Sequence, residues 1–211
     1  SAKSSMPSYT LYYFPVRGAG EIIRQLFAIS GTEYTDKRIS HEEWPALKSS
    51  MPFGQMPVLE VDGKKIPQSF AIARFLAKQF GYAGKTPFES AWVDALADQY
   101  KDYLIEFRPA FVVYAGFAQG DKLKVCSTIN IELTCVSYAE QPVFVQETGS
   151  GYLVGDSLTW VDLVVVDHVD LIEGHVPGFF DAYPKVKELR KKVQNTPKLK
   201  EWIEKRPKTP F

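Results

Sequence analysis

The sequence has no long apolar run, no excess of charge of either sign and no cluster of cysteines. Its longest apolar runs, such as Leu163–Val166, fall far short of the ~20 residues that cross a bilayer. Its 25 basic residues balance its 25 acidic residues, which argues against binding to nucleic acid or membrane through overall charge. The N-terminal residues lack the apolar core of a signal peptide, so the default expectation is a cytoplasmic location.

The only two cysteines are Cys126 and Cys135. On a single helix they would lie on opposite faces, about 13 Å apart along the axis, which excludes a disulfide between them. The surrounding segment is rich in β-branched residues, so its helical interpretation stays open. The chain has no CxxC pair and no Cys/His cluster, so we predict no metal site.

The glycines of "RGAGEII" do not form a nucleotide-binding loop. The dinucleotide fingerprint G-x-G-x-x-G would start at Gly18 and Gly20, but its third glycine is replaced by Ile23. A P-loop needs a G-K-[ST] sequence after its glycines, and this segment has none. The favoured interpretation is close packing of a helix against the preceding strand.

The first part of the chain alternates between strand-like and helix-like patterns. The order is β-α-β-α-β-β-α, which is typical of a small mixed sheet with helices packed on it. An Asp62-Gly63 pair predicts a tight hairpin, and Gly31 and Gly81 each end a helix. The predicted elements are strands 9–14, 34–40, 58–61 and 64–66 and helices 21–30, 44–50 and 69–80.

The second part of the chain is mostly helical in pattern. The apolar spacing predicts helices over 88–118, 160–173, 184–194 and 197–205, and less clearly over 123–146. We therefore predict an α/β domain over residues 6–82 and an all-α domain over 88–211, joined by the linker "GYAGKTP". Thr159 and Asp162 have the spacing of a capping box that opens an apolar helix.

Three short motifs allow both a structural and a functional interpretation. Met56-Pro57 before a strand is either an ordinary trans bond or a cis bond that frees a backbone for an extended peptide. Ser69 at a helix start is either a plain cap or part of a carboxylate site at the helix N-terminus. Trp44 and Lys48 share one helix face, where they either pack in the core or grip a small anion.

Taken together, these motifs resemble one family. The segments "YYFPVRGAGEIIRQLFA", "PFGQMPVLEVDG", "QSFAIARFLA", "VDALADQYKDY", "GDSLTWVDL" and "KLKEWIEKRPKTPF" are similar to those of the cytosolic glutathione transferases. The resemblance is to the sigma-like class and its nematode members. It covers residues 6–211 and is weakest across 121–150.

The resemblance implies a thioredoxin-like N-terminal domain, an all-helical C-terminal domain and a cytoplasmic homodimer that acts in detoxification. Glutathione would be the co-substrate, with no other cofactor. Tyr13 would be the catalytic residue, Met56-Pro57 would be cis, and Asp102 would reach the glutathione bound to the partner subunit. The implied glutathione-binding residues are Tyr13, Trp44, Lys48, Gln55, Met56, Pro57, Gln68, Ser69 and Asp102.

The chemistry of a thiol substrate agrees with a buried tyrosine. A thiol with a pKa near ~8.5 is mostly protonated at neutral pH, and only the thiolate attacks well. A neutral tyrosine hydroxyl can stabilise that thiolate by donating a hydrogen bond to it. Tyr12 and Tyr13 face opposite sides of their strand, and the motif places the site tyrosine directly before Phe14. Tyr12 is then expected to pack between sheet and helix.

A hydrophobic electrophile would bind between the two domains. The implied contacts are Phe14, Val16, Phe107, Phe111, Val164, His168 and Phe211, each of which can equally be ordinary core. Arg17 would be the cation nearest the site, since Ala19 stands where some relatives have arginine.

Two alternative functions stay open at this point. One is a non-catalytic binder or transporter of haem or other apolar ligands at the dimer cleft. The other is a prostaglandin isomerase, which is disfavoured because Lys101 and Pro109 replace residue types typical of those enzymes. Peroxidase activity could accompany conjugation.

Overall fold

The computed structural model describes residues 7–114, 119–120 and 149–209. Its strands form one mixed four-stranded sheet in the order β2-β1-β3-β4. Strand β1 is parallel to β2 and antiparallel to β3, and β4 is antiparallel to β3. The strands are β1 (Tyr9–Tyr13), β2 (Thr35–Arg38), β3 (Val58–Val61) and β4 (Lys64–Pro67).

Helices α1 (Glu21–Ser30) and α3 (Ser69–Phe80) pack on one face of this sheet. Leu11 and Leu59 face each other across β1 and β3 and are fully buried in the same core as both helices. Gly31 and Gly81 end the two helices with left-handed φ angles of 71° and 82°, as the sequence predicts. The hairpin at Asp62-Gly63 also forms, so the order of elements in this domain is confirmed.

A short helix, α2 (Trp44–Leu47), continues into two 3-10 turns over Lys48–Ser50 and Pro52–Gly54. These turns carry the chain from β2 to the start of β3. None of the residues of α2 is buried, so this segment has no core of its own. Prolines open both α2 and the second turn, and Trp44 contacts the ring of Phe14.

The rest of the described chain is helical. Its helices are α4 (Pro87–Tyr114), α5 (Trp160–His175), α6 (Pro184–Gln194) and α7 (Pro197–Lys205). The pairing of a thioredoxin-like domain with a helical domain is therefore as expected. The predicted helix over 123–146, both cysteines and the end of the helix predicted over 88–118 lie outside the described residues. Among the described residues, no helix is both long and apolar enough to cross a membrane.

Helix α5 begins with the predicted capping box. The carboxylate of Asp162 accepts hydrogen bonds from the backbone N–H of Thr159 at 2.7 Å and from its hydroxyl at 2.8 Å. It also accepts the N–H of Leu153 at 2.8 Å. Complete burial raises the pKa of Asp162 to about 6, and these hydrogen bonds offset part of that increase. The box thus fixes both the start of α5 and the loop before it.

The helical domain is joined to the sheet domain along α1. Glu21, at the start of α1, is only 2% exposed. Its carboxylate accepts hydrogen bonds from the indole N–H of Trp202 and from the guanidinium of Arg206, both at 2.8 Å. A buried carboxylate needs such partners, so α7 and the residue that follows it are held against the N-terminal domain.

Candidate active site

One edge of the sheet gathers the chemistry-bearing residues of the N-terminal domain. Tyr12 pairs with Val58, which pairs in turn with Pro67. This edge therefore brings together the ends of β1 and β4 and the start of β3. Tyr13 follows Tyr12, Pro57 precedes Val58, and Gln68 follows Pro67. The Met56–Pro57 peptide bond is cis, as predicted.

Tyr13 is buried at this edge, with only 9% of its surface exposed. Its hydroxyl oxygen accepts the backbone N–H of Ala19 at 3.0 Å. Burial raises the pKa of the Tyr13 hydroxyl, and the Ala19 N–H and the nearby Arg24 offset part of that increase. The hydroxyl is therefore neutral at pH 7. No described residue accepts its hydrogen, so that hydrogen is available to a ligand.

Gly18 and Gly20 make room for the tyrosine itself. A Cβ at Gly18 would lie 2.8 Å from the Tyr13 hydroxyl oxygen, and a Cβ at Gly20 would lie 2.4 Å from Tyr13 Cδ1. Both distances are shorter than a non-bonded contact allows. The packing interpretation of "GAG" is therefore correct, with the addition that the partner is the Tyr13 ring. Gly18 also has a left-handed φ of 37°.

Phe14 links Tyr13 to the segment around α2. Its ring lies 5.8 Å from the Tyr13 ring and 5.9 Å from the Trp44 ring, edge-to-face in each case. It also stacks on His41 at 4.7 Å. Trp44 is half-buried and Lys48 is exposed, with the Lys48 side chain against Gly54. The structure thus brings Tyr13, Phe14 and Trp44 together, and places Lys48 beside the turn that leads to Gln55.

Gln55 and Gln68 meet at the start of α3. The side-chain amide of Gln68 donates to the side-chain oxygen of Gln55 at 3.4 Å. Gln68, not Ser69, is the residue that precedes the helix, and no side chain caps the helix N-terminus. The interpretation of Ser69 as a plain cap is therefore wrong. The first N–H groups of α3 stay open to an anion, as the alternative interpretation requires.

Asp102 is exposed on α4, three residues before Ile105, which is 65% exposed. Among the hydrogen bonds and ion pairs of the described residues, none joins Asp102 to Tyr13, Gln68 or Ser69. Its predicted role therefore depends entirely on a second subunit.

The residues predicted to bind the apolar substrate divide into three groups. Phe14 and Val16 are half-buried beside Tyr13. Val164 and His168 are 6% and 7% exposed and belong to the hydrophobic core, so their place in a substrate pocket stays a prediction. Phe107 and Phe111 belong to α4, but their side chains, like the whole of Phe211, lie outside the described residues.

His168 illustrates the core position of the second group. Its Nε2 lies 3.0 Å from the hydroxyl of Tyr103, and the rings of Tyr100 and Tyr103 pack edge-on against the imidazole. Complete burial lowers the pKa of His168 to about 3. The imidazole is therefore neutral and in contact with two aromatic rings of the core.

Two expectations about neighbours of Tyr13 need correction. Tyr12 does not pack between sheet and helix: its hydroxyl donates to Glu60 at 3.3 Å, and its ring lies under the ammonium groups of Lys37 and Lys65. Arg17 was expected to be the cation nearest the site, but it donates to Asp167 at 2.7 Å. The cation over the Tyr13 ring is Arg24, whose guanidinium carbon lies 5.7 Å from the ring centroid. Alternation along β1 separates the two tyrosines as predicted, but the polar face of the sheet receives Tyr12.

Arg24 is a residue of the site that sequence reasoning missed. Its side chain is 1% exposed and donates to the carbonyl oxygens of Val16 at 2.6 Å and Phe14 at 3.1 Å. It also pairs with Asp36 at 3.1 Å. Arg24 therefore holds the chain just after Tyr13. The signal for it was a charged residue between the apolar pairs Ile22-Ile23 and Leu26-Phe27 of α1, where burial requires dedicated partners.

No described group of three or more His, Cys, Asp or Glu side chains could hold a metal ion. The site instead consists of a neutral hydroxyl donor, an open helix N-terminus and an aromatic wall. This arrangement suits a polar ligand that carries both a carboxylate and a group able to accept from Tyr13.

Comparison with known proteins connects this geometry to one family. The model for "Glutathione S-transferase, N-terminal domain" matches residues 7–78, and the model for "Glutathione S-transferase, C-terminal domain" matches residues 133–206. "Probable glutathione S-transferase 5" of Caenorhabditis elegans is 50% identical over 209 residues, covering 98% of this chain and 100% of that protein. "Glutathione S-transferase 1" of Ascaris suum is 45% identical over 206 residues, with coverage of 98% and 100%.

Solved structures agree over the whole length of the chain. A monomeric glutathione S-transferase from the hookworm Necator americanus has 51% identity and a TM-score of 0.90, covering 97% of this chain and 100% of that one. A Nu-class relative from Haemonchus contortus has 48% identity and a TM-score of 0.85, covering 98% and 100%.

Proposed function

The chain belongs to the glutathione S-transferase family, and from that premise we propose that Tyr13 activates the thiol of glutathione for attack on hydrophobic electrophiles. The observation that carries this proposal is the hydrogen bonding of Tyr13. Its oxygen is occupied by the Ala19 N–H at 3.0 Å, while its hydrogen has no acceptor among the described residues. The hydroxyl is thus oriented as a donor before any ligand binds.

The proposed reaction needs a thiolate, and Tyr13 supplies the stabilisation. The thiol proton leaves to solvent, and the sulfur keeps the electron pair that forms the new bond to the electrophilic carbon. If that carbon carries a leaving group, the group departs with its own bonding pair. Lowering the thiol pKa by ~2 units takes ~2.7 kcal/mol, within reach of one or two charge-assisted hydrogen bonds in a partly dry site. Because its pKa is raised, Tyr13 acts as a donor and not as a base.

Glutathione would be held along the edge of the sheet described above. The open N-terminus of α3, beside Gln68 and Ser69, offers N–H groups and a positive dipole end to a carboxylate. The backbone at Met56 offers pairing for an extended peptide. The segment that precedes Met56 contributes Trp44, Lys48 and Gln55, and Pro57 comes directly before β3.

Tyr13→Phe tests the proposal, with Tyr12→Phe as its matched control. The two residues are adjacent, but Tyr12 lies on the opposite face of the sheet. Removing the Tyr13 donor costs about 1.5–3 kcal/mol of thiolate stabilisation, so we expect kcat/KM for a chlorodinitrobenzene-type electrophile to fall about 10- to 150-fold. Glutathione binding and the Tyr12→Phe rate should stay within about twofold of the wild type. Equal rates in both variants would remove the assigned role of Tyr13.

We further propose that the active form is a homodimer. The exposed apolar side chains Phe53 (76%), Phe88 (67%) and Ile105 (65%) support burial against another subunit, and Ile105 is close in sequence to Asp102. Because a hookworm relative is described as monomeric, the oligomeric state of this protein has to be measured. Native mass in solution should give twice the chain mass, and Asp102→Asn should raise the KM for glutathione about tenfold. A monomer with full activity would exclude a role for Asp102.

The second substrate would be a hydrophobic electrophile beside Phe14 and Val16, with organic hydroperoxides as a further class of substrate. Relatives at 45% and 50% identity are named glutathione S-transferases, which favours conjugation over haem transport or prostaglandin isomerisation. The sigma-like class and the cytoplasmic location stay predictions from the sequence. A relative of 48% identity is described as Nu-class. Comparing the activity of this protein with that of sigma-class and Nu-class enzymes would test the class.

A further inference from the structure

Arg17 connects the loop that follows Tyr13 to the helical domain. It lies on the loop between Tyr13 and α1, and its side chain is 14% exposed. One guanidinium nitrogen donates to the Asp167 carboxylate at 2.7 Å and to the Asp167 carbonyl oxygen at 3.3 Å. The same nitrogen lies 3.4 Å from the Asp170 carboxylate. Both acidic residues belong to α5 of the helical domain, so this loop is fixed from outside its own domain.

Asp167 is itself held in place by other residues. Gln25 on α1 donates to the same carboxylate oxygen at 3.0 Å, and Arg206 lies 3.5 Å from it. The carboxylate of Asp167 is 20% exposed. A carboxylate with several fixed donors cannot follow a displaced arginine, so it defines one position for Arg17.

The loop that Arg17 fixes is in direct contact with Tyr13. Ala19, two residues after Arg17, donates its backbone N–H to the Tyr13 hydroxyl at 3.0 Å. Gly18 and Gly20 pack so closely on the Tyr13 ring that neither position has space for a methyl group. A shift of this backbone by a fraction of an ångström therefore changes the position of the Tyr13 hydroxyl or its hydrogen bond.

We propose that Arg17 and Asp167 are positioning residues for the reaction: their ion pair between the domains holds residues 17–20 so that Tyr13 presents its hydroxyl hydrogen to the substrate thiol. This proposal rests on the proposed role of Tyr13. Neither residue touches the thiol; they act through Ala19, Gly18 and Gly20. The ion pair makes the chemistry of the N-terminal domain depend on α5.

The competing view is that the Arg17–Asp167 ion pair only joins the domains. The charged network of Arg17, Asp167, Asp170 and Arg190 provides a matched control. Arg190 on α6 pairs with Asp170 at 2.5 Å, in the same charged network but from the side of α6. Arg190→Gln removes a cation and a contact between helices without altering the loop at residues 17–20. It should lower stability without changing the ionisation of bound glutathione.

The test measures the pKa of enzyme-bound glutathione from the ultraviolet absorbance of its thiolate, with the pH profile of kcat/KM and the thermal midpoint. We expect Arg17→Gln and Asp167→Asn to raise the bound thiol pKa by about one unit and to lower kcat/KM about tenfold at pH 6.5. The loss should shrink as rising pH ionises the thiol. The Kd for glutathione should change less than twofold, and Arg17→Lys should recover part of the shift.

The outcomes separate this inference from the proposed function. If Tyr13→Phe keeps the wild-type thiol pKa, the role of Tyr13 falls and the positioning role falls with it. If Tyr13→Phe shifts the pKa while Arg17→Gln and Asp167→Asn do not, or if Arg190→Gln shifts it equally, only the positioning role is overturned. Should Arg17→Gln fail to fold, Asp167→Asn, which keeps an acceptor oxygen and nearly the same shape, decides the question.

Discussion

Tyr13 and His168 are buried to almost the same extent, at 9% and 7% exposed. The side chain of each forms a hydrogen bond with a neighbouring group. At Tyr13 that neighbour is a backbone N–H, which leaves the hydroxyl hydrogen for a ligand. At His168 it is the Tyr103 hydroxyl, within a helical core of aromatic rings. Burial alone therefore does not mark a functional residue.

The surroundings explain the difference. Tyr13 lies where strands end and a glycine loop begins, so open backbone groups and space remain beside it. His168 lies inside α5, where the backbone groups are paired within the helix and side chains fill the space between α4 and α5. We expect substitutions near Tyr13 to act on catalysis and substitutions near His168 to act on folding. The predictions below test this contrast.

Gly20→Ala should have the largest effect, on activity. Gly20 has an ordinary φ of −86°, so an alanine causes no backbone strain, and its effect comes from the Cβ that would lie 2.4 Å from Tyr13 Cδ1. Displacing the ring should lower kcat/KM about 100-fold. The control is Gly63→Ala in the hairpin, where φ is 79° and no atom lies within 4 Å. That variant should lose about 1–2 kcal/mol of stability and keep its activity; the reverse pattern would contradict the contrast.

His168→Gln should act on stability and its pH dependence. The pKa of His168 in the fold is about 3, below its unfolded value of ~6.5. The stability that comes from a neutral imidazole is therefore fully present above pH 6.5 and is lost as pH falls toward 3. The wild type should lose up to about 1.4 kcal/mol per pH unit in this window relative to the variant.

Denaturant unfolding at pH 7, 6 and 5, at one fixed protein concentration, measures this difference. The KM for the electrophile at pH 7 should be the same in wild type and His168→Gln. A KM change of fivefold or more would place His168 in the substrate pocket and would break the contrast with Tyr13.

Gly174→Ala should have the smallest effect, a gain in stability. Gly174 lies within α5, and a Cβ there would meet no atom within 4 Å. Alanine restricts the unfolded chain and favours the helix, so we expect about 0.4–1 kcal/mol of added stability. Thermal unfolding measures the gain, and kcat/KM should not change. A loss of activity would show that α5 is coupled to the site through its C-terminal end as well as through Asp167.

The elements of the sheet domain could be predicted from short sequence patterns because interactions between residues close in sequence determine them. Alternation along β1, the Asp62-Gly63 hairpin and the two glycine helix ends each act within a few residues. The same patterns placed Tyr13 and Tyr12 on opposite faces. The interpretation of Ser69 as a plain cap failed because Gln68 is the N-cap residue, and its φ of 74° could not be expected for a residue other than glycine.

The helical domain was harder to interpret because apolar residues look alike in sequence. Val164 and His168 have the residue types of either a pocket or a core, and only the packing of the helices shows that both side chains are buried. Arg17 is similar, since a basic residue next to a site can face the substrate or form an ion pair. Its partners are 150 residues away in sequence at Asp167, beyond any local pattern.

The sequence by itself determined the order of elements, the mixed sheet with its helical partner domain, the capping box at Thr159 and Asp162, and the placement of Tyr12 and Tyr13 on opposite faces of β1. These follow from short-range steric and hydrogen-bonding rules. Tertiary structure alone decided that Gly18 and Gly20 serve the Tyr13 ring, that Arg24 holds the chain after Tyr13, and that Arg17 joins the loop to α5. Among these, only the contact between Arg17 and Asp167 joins the two domains, whereas those of Gly18, Gly20 and Arg24 form within the N-terminal domain. No short-range pattern shows any of them, because a buried charge is stable only beside the partner that folding supplies.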